Sequence, residues 1–316
     1  MSIPTSVTAR EIADFYRQNG FAIARRVFVG EELAALDQES RAQISAGCNR
    51  TPTEDYLRKP MPDGEERFFR VDWLTDDQKV IHNDSLATAA VHPLVHEVIS
   101  DVLNGSCTLT SSAMVFKNEG GGPEVSLHRD DFPDRQRFDS RHVVISADVY
   151  IDPTTARNGC LKIIPGSHRI EDVTAHIKTN LSHPELVDLE MNPGDVLFHD
   201  GELLHGSAAT ERDATLRRIL YYVWQCPDWV EREGYVPGLR PPRTWIAESI
   251  RLTQHLFDMR AASLRDLRDG FRVPPHWRDA FDSANLTPRP YPTWADEEYM
   301  EELRKLFDES SGPEWL

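Results

Sequence analysis

The chain begins with a helix-like stretch that stops at Asn19-Gly20, runs through the apolar segment FAIARRVF, and resumes helical spacing from Glu31-Glu32-Leu33 to about Ile44. Gly20 suits a helix stop and the start of a strand, because it accepts the left-handed backbone that closes a last turn. Residues 49–80 are rich in Pro, Asp, Glu and Arg, with Phe68, Phe69 and Trp73 interspersed, and show no period. A long loop is expected there. Apolar residues return at helical spacing from Leu86 to about Leu103, at Val91, Leu94, Val95, Val98, Ile99 and Val102, and predict one amphipathic helix despite Pro93.

After Cys107 the texture changes. Short β-prone runs, TLTSSAMVF, HVVISADVYI, CLKIIP, DVLFH and RRILYYVW, follow one another between Gly, Pro, Asn and Asp. That rhythm predicts a sandwich or barrel, not alternating β–α units. Beyond Pro227 the spacing is helical again, in TWIAESIRLTQHLFDMRAASLRDL and ADEEYMEELRKLF. The expectation is a mainly β protein with flanking α, in one domain over 1–316: a β core at about 105–227, a helical support over 1–104 and a helical extension over 228–316. The extension would cover the mouth of the core or pair two copies as a homodimer.

Charge and composition remove some classes of function. Asp and Glu total 52 against 35 Lys and Arg, a net charge of −17, so the surface repels phosphate backbones and no nucleic-acid partner is expected. No apolar run approaches the roughly 18–20 residues that span a bilayer. MSIPTSVTAREIADFY lacks the basic start and apolar stretch of a secretory signal, so a cytoplasmic protein with no membrane partner is expected. Cys48, Cys107, Cys160 and Cys226 lie far apart, without the Cys-x-x-Cys of a zinc knuckle or a disulfide framework.

Two His-x-Asp triplets stand in the chain, His82-Asn83-Asp84 and His128-Arg129-Asp130. On a strand, residues i and i+2 share a face about 6.6–7 Å apart, so such a pair can turn onto one metal ion. Chance produces it readily in a chain with 12 histidines and abundant Asp. The first triplet is read as such an accident, since Asp84-Ser85 precedes the helix expected from Leu86 and suits its N-cap. The second follows the glycine loop NEGGGP and has partners downstream: His205 in GDVLFHDGELLHGS and, twelve residues later, Arg217 opening RRILYYVW. Together they form the pattern of a 2-His-1-carboxylate iron site with an adjoining 2-oxoacid pocket.

On these residues the chain resembles the phytanoyl-CoA dioxygenase family of Fe(II)/2-oxoglutarate-dependent oxygenases, from NGFAIARRVF through Tyr222. KNEGGGPEVSLHRD, NGCLKIIPGSH at 158–168, NPGDVLFHDGELLHGS at 192–207 and RRILYYV at 217–223 carry the resemblance. It implies a double-stranded β-helix (a cupin-like jelly roll) buttressed by helices, with Fe(II) as cofactor and 2-oxoglutarate and O2 as cosubstrates. The implied reaction hydroxylates an unactivated carbon of a small organic molecule, such as a natural-product intermediate, and releases succinate and CO2. His128, Asp130 and His205 would be the iron ligands, leaving positions for the 2-oxoacid and O2. Arg217 would receive the remote carboxylate of 2-oxoglutarate, a task that suits its planar, permanently charged fork. Ser207, two residues after the distal His, would assist it, and Lys117 would touch the cosubstrate or an acidic group of the substrate.

Competitors exist within the motifs. His199 could replace His205, but the family pattern places the ligand directly before Gly-Ser. Asp131 would face away from Asp130 on a strand, which leaves it as a loop or substrate contact. Arg217 and Arg218 alternate faces, and aligning RRILYYV favours Arg217, with one residue more than the usual spacing absorbed by AATERDA. Trp224 is a candidate substrate contact, with Tyr222 beside it, against the alternative of core packing. His168 is read as structural, Asn158-Gly159 as a turn, and His92, His96, His142, His176 and His255 as surface or satisfied core residues without partners at ligand spacing. Asp130 argues against a halogenase, where Gly or Ala replaces the carboxylate. The intact ligand set argues against a binding-only module. Desaturation, epimerisation or ring formation would use the same residues.

Overall fold

The computed structural model describes residues 8–48, 56–60, 66–72, 74, 84–105, 107–118, 122–130, 143–211, 213–227 and 243–262. Helix α1 spans Ala9–Asn19 and starts at a reciprocal capping box, in which Thr8 and Glu11 satisfy each other's backbone amides. It ends at Gly20, whose φ of 76° is left-handed and whose N–H donates to the Tyr16 carbonyl. A Cβ at Gly20 would also lie 2.4 Å from His168 Nδ1, so glycine is required there by backbone and by packing. His168 thus serves as a structural wall of the first turn.

Strand β1 (Phe21–Ala24), α2 (Gly30–Cys48), β2 (Tyr56–Pro60), β3 (Glu66–Asp72), α3 (Asp84–Ala89), α4 (Pro93–Val102) and β4 (Thr108–Lys117) follow. Next come β5 (Val125–His128), β6 (Ile145–Tyr150), β7 (Leu161–Ile163), α5 (Thr174–Thr179), β8 (Val187–Leu189), β9 (Val196–Asp200), β10 (His205–Ser207) and β11 (Arg217–Gln225). The last described element is α6 (Arg243–Ala262). A seven-stranded antiparallel sheet, in the order β1-β9-β6-β11-β4-β3-β2, faces a four-stranded one, β5-β10-β7-β8. This is a double-stranded β-helix core with helices outside the larger sheet.

The alternation along β11 shows how the layers divide. Leu220, Tyr222 and Trp224 join the large core under the helices with Leu36, Val95, Ile99 and Phe257. Ile219 points the other way and joins Phe21, Ile23, Tyr150, Leu161, Ile163 and Leu197 between the sheets. A sheet covered on both faces reads as continuous apolar runs, which is why β6 and β9 lack polar alternation in burial. Among the described residues no helix is long and apolar enough to cross a membrane.

Several expectations change. The region 49–80 contributes β2 and β3, which extend the large sheet beyond β4 where a loop was expected. They add strands to a segment expected to be helical support, whereas β1 begins at the strand start expected after Gly20. The helix expected from Leu86 to Leu103 is two helices, because Pro93 has no N–H to donate within a helix and instead occupies the first turn of α4, capped by His92. Burial pushes the His92 pKa down to about 3, with Arg260 adding to the effect, so its Nδ1 is free to accept the Leu94 amide. Asp84 lies inside α3, and the Glu39 carboxylate receives the Ser85 and Leu86 amides. Most of the C-terminal extension, including ADEEYMEELRKLF, lies outside the described residues. The described part, α6, packs on β4 and buries Leu252, Leu256 and Phe257.

Candidate metal centre

Strands β5 and β10 are antiparallel neighbours in which His128 and His205 are register partners. Each ring is fixed by the same device: His128 Nδ1 lies 2.7 Å from the Ser126 carbonyl, and His205 Nδ1 lies 2.8 Å from the Leu203 carbonyl. A carbonyl can only accept, so each Nδ1 carries the hydrogen and each Nε2 keeps its lone pair. Asp130, just past β5, is tied to the β9–β10 turn through its N–H and the Gly201 carbonyl at 2.9 Å. Its Oδ1 lies 3.7 Å from His128 Nε2 and 3.5 Å from His205 Nε2. The three donor atoms lie within 4.8 Å of one another. Arg129 turns away, to Glu202 and to the carbonyls of Ser167 and Ile170.

The charges agree with this geometry. Burial alone would raise the Asp130 pKa, but the imidazoles of His205, His128 and His199 outweigh it and hold the carboxyl well below its usual range. Asp130 keeps 40 % of its side chain exposed, so it faces an open side of the cluster as an anion. Burial lowers the His205 pKa, which favours the neutral ring a metal requires. Two imidazoles with preset tautomers and one carboxylate are the donor set of Fe(II) oxygenases.

His199, the competitor from β9, stands beside this cluster with its ring 5.0 Å from that of His205. Its Nε2 lies 3.1 Å from Asp148 Oδ2, off the hydrogen-bond line, and its Nδ1 lies 3.9 Å from Asp130 Oδ2. Both His199 and Asp148 are buried, and Ser146 Oγ donates to the other Asp148 oxygen at 2.6 Å. This buried pair behind the cluster was not foreseen. Its signal was present in HVVISADVY, where Ser146 and Asp148 recur at period two on a buried strand.

At the neighbouring end of the large sheet, Arg217 and Lys117 are register partners on β11 and β4, and both are buried. An Arg217 Nη1 donates to the Gly159 carbonyl. Lys117 Nζ donates to the Ala208 carbonyl at 2.5 Å. Among the described residues no carboxylate pairs with Arg217, and its buried Nε has no partner. Arg218, on the opposite face, is locked by Asp152, Asp37 and Ser40, with Asp152 bound through Nε at 2.8 Å and Nη2 at 2.7 Å. Ser207 is buried on β10, two residues after His205 and on the same face.

Two further site expectations, at Trp224 and His176, resolve differently. Trp224 is fully buried beneath the helices, its ring 6.1 Å from that of His96, and does not line the space between the sheets. It stands an odd number of positions from Arg217, hence on the other face of β11. Asp131 and His142 lie outside the described residues. His176, expected to be isolated, meets His183 and Glu185.

A His, Asp, His cluster inside a double-stranded β-helix, beside a buried arginine without a carboxylate partner among the described residues, fits the class of Fe(II)- and 2-oxoglutarate-dependent dioxygenases. The chain belongs to the phytanoyl-CoA dioxygenase (PhyH) family, whose model matches residues 16–218. It is 24 % identical over 271 residues to the multifunctional dioxygenase ausE of Emericella nidulans, covering 80 % of this chain and 87 % of that one. It is 30 % identical over 197 residues to the iron/alpha-ketoglutarate-dependent dioxygenase ausO of Aspergillus calidoustus, covering 60 % of this chain and 64 % of that one. The fold is similar to that of EctD from S. alaskensis, solved with 2-oxoglutarate and 5-hydroxyectoine, with a TM-score of 0.58 at 19 % identity over 77 % of this chain and 84 % of that one.

Proposed function

We propose that His128, Asp130 and His205 hold Fe(II), that Arg217 anchors 2-oxoglutarate, and that the enzyme hydroxylates an unactivated carbon of a small organic molecule. The observation that carries this reading is the cluster of two preset Nε2 atoms and one carboxylate oxygen within 4.8 Å. Bound iron with 2-oxoglutarate and O2 supplies the oxidising chemistry: one oxygen atom enters the substrate C–H bond, the other enters succinate, and CO2 leaves.

The chain's own residues do the rest. The Ser126 and Leu203 carbonyls keep both rings in the ligating tautomer. Arg217, held by Gly159, offers its Nε, which has no partner among the described residues, to the remote carboxylate of the cosubstrate, and Ser207, buried on β10, would assist it. Lys117, paired in register with Arg217, adds a second positive charge at the same end of the sheet. The apolar layer of Tyr150, Leu161, Ile163 and Ile219 keeps water from this end of the pocket.

A second reading keeps the same cofactor chemistry and ends it in desaturation, epimerisation or ring formation, as the name of ausE as a multifunctional dioxygenase allows. Screening natural-product intermediates and other small molecules for substrate-dependent succinate release, with mass spectrometry of the product, tests both. Gain of one oxygen atom supports hydroxylation, loss of two hydrogens supports desaturation or ring closure, and an unchanged mass with altered retention supports epimerisation. Succinate release that never responds to any substrate counts against the reading. Self-association through the C-terminal helices belongs to the same proposal, and light scattering at the mass of one chain would remove it.

A further inference from the structure

The geometry points to a second metal site, formed by His176, His183 and Glu185, which binds a zinc-class divalent cation and clasps the segment that backs the iron-ligand strands. One donor atom from each of the three residues lies within 4.8 Å of the others. The two imidazole rings are stacked, with centroids 4.8 Å apart and planes at 22°. His176 Nδ1 is shut off from solvent and has no hydrogen-bond partner among the described residues. His183 Nδ1 lies 3.3 Å from the Glu185 amide, a long contact that places the ring beside Glu185. Two imidazoles and one carboxylate suit Zn2+, with water completing the coordination.

The placement of this cluster gives it a consequence. His176 lies in α5, and His183 and Glu185 lie in the turn that follows, so a cation would cross-link the two. Between and beside them, Val173, Leu181 and Leu186 pack on Leu127, Ile164 and Leu204. Leu127, within β5, and Leu204, just before β10, immediately precede His128 and His205. Asn180, in the same segment, accepts the Leu127 amide through Oδ1 at 2.7 Å and donates to Glu124 through Nδ2 at 2.9 Å. The clasp therefore braces the wall behind both proposed iron-ligand histidines without touching the iron site.

The test is a titration of the metal-free, full-length chain with Co2+ as a spectroscopic probe, followed by competition with Zn2+. The wild type should take up two equivalents, His205→Ala one, His176→Gln/His183→Gln one, and the combination of all three none. Zn2+ should raise the melting temperature of His205→Ala by several degrees, but not that of the variant carrying all three substitutions. Uptake of a single equivalent by the wild type, lost in His205→Ala, would overturn the second site while leaving the iron site standing. Uptake unchanged in His176→Gln/His183→Gln would overturn it as well. Glu185→Gln is the milder control for folding and should weaken the second equivalent without abolishing it.

Discussion

His128 and His205 are register partners across the β5–β10 ladder, with ring centroids 4.3 Å apart. Two proposed ligands of one ion are therefore set by a backbone ladder, and only Asp130 comes from beyond a strand end. Metal affinity should depend on how closely these two strands approach, not only on the ligands themselves.

Gly206 tests that dependence. A Cβ there would meet the Val125 carbonyl at 2.8 Å, Leu181 Cδ2 at 3.0 Å and the Ser126 carbonyl at 3.1 Å. The Ser126 carbonyl is the one that orients His128. Gly206→Ala should cost about 1–3 kcal/mol of stability through overpacking and should weaken Fe(II) binding in the protein that remains folded. Thermal unfolding and iron titration measure the two effects, and unchanged iron affinity would contradict the dependence.

Arg217 and Arg218 should separate cleanly. Arg217→Lys loses the planar fork and should raise the KM for 2-oxoglutarate about 10- to 100-fold, the equivalent of roughly 1.5–3 kcal/mol of charged hydrogen bonding, with little change in melting temperature. Arg218→Ala leaves Asp152 and Asp37 without their buried partner and should cost about 3–5 kcal/mol of stability, with the KM of the folded fraction near wild type. Steady-state kinetics beside denaturant unfolding would reveal a reversed pattern.

The His199–Asp148 pair makes the stability of the metal-free chain depend on pH. Burial works to lower the His199 pKa, but the charge of Asp148, with Asp130 beyond it, overcomes burial and raises it from 6.5 to about 9. Since the folded value lies above the ordinary one, the protonated ring stabilises the fold fully below about pH 6.5, and that contribution is lost as pH rises through about 9. Urea unfolding of the metal-free chain should show a decline across this interval, with a slope of up to roughly 1.4 kcal/mol per pH unit, that His199→Gln lacks. Parallel curves would contradict it.

The legibility of the chain in sequence followed its periodicity. Strands β4, β6, β9 and β11 are long or continuously apolar and stood out, as did the helix stop at Gly20. YLRKP and ERFFRVD did not, because β2 is an edge strand and β3 its neighbour, and charged residues suit a sheet edge. HGS is too short to show a period, so β10 was visible only through its motif. His128, Asp130 and His205 were singled out by motif, and the fold brings them together. The position of Trp224 followed from strand parity with Arg217 and was readable, but the aromatic character of the residue suggested a pocket. For the Asp148–His199 pair, period two in HVVISADVY marks Ser146 and Asp148 on one face, but the partner His199 comes from the pairing of β6 with β9, which lies outside any local pattern.

The most direct test of the iron site is optical: anaerobic addition of Fe(II) and 2-oxoglutarate to the metal-free chain, followed by a search for the weak visible charge-transfer band of the chelate. The wild type should develop the band, Asp130→Ala and His205→Ala should lose it, and Arg217→Lys should require more 2-oxoglutarate to reach it. A band that survives in Asp130→Ala and His205→Ala would contradict the assignment of His128, Asp130 and His205 as the metal centre.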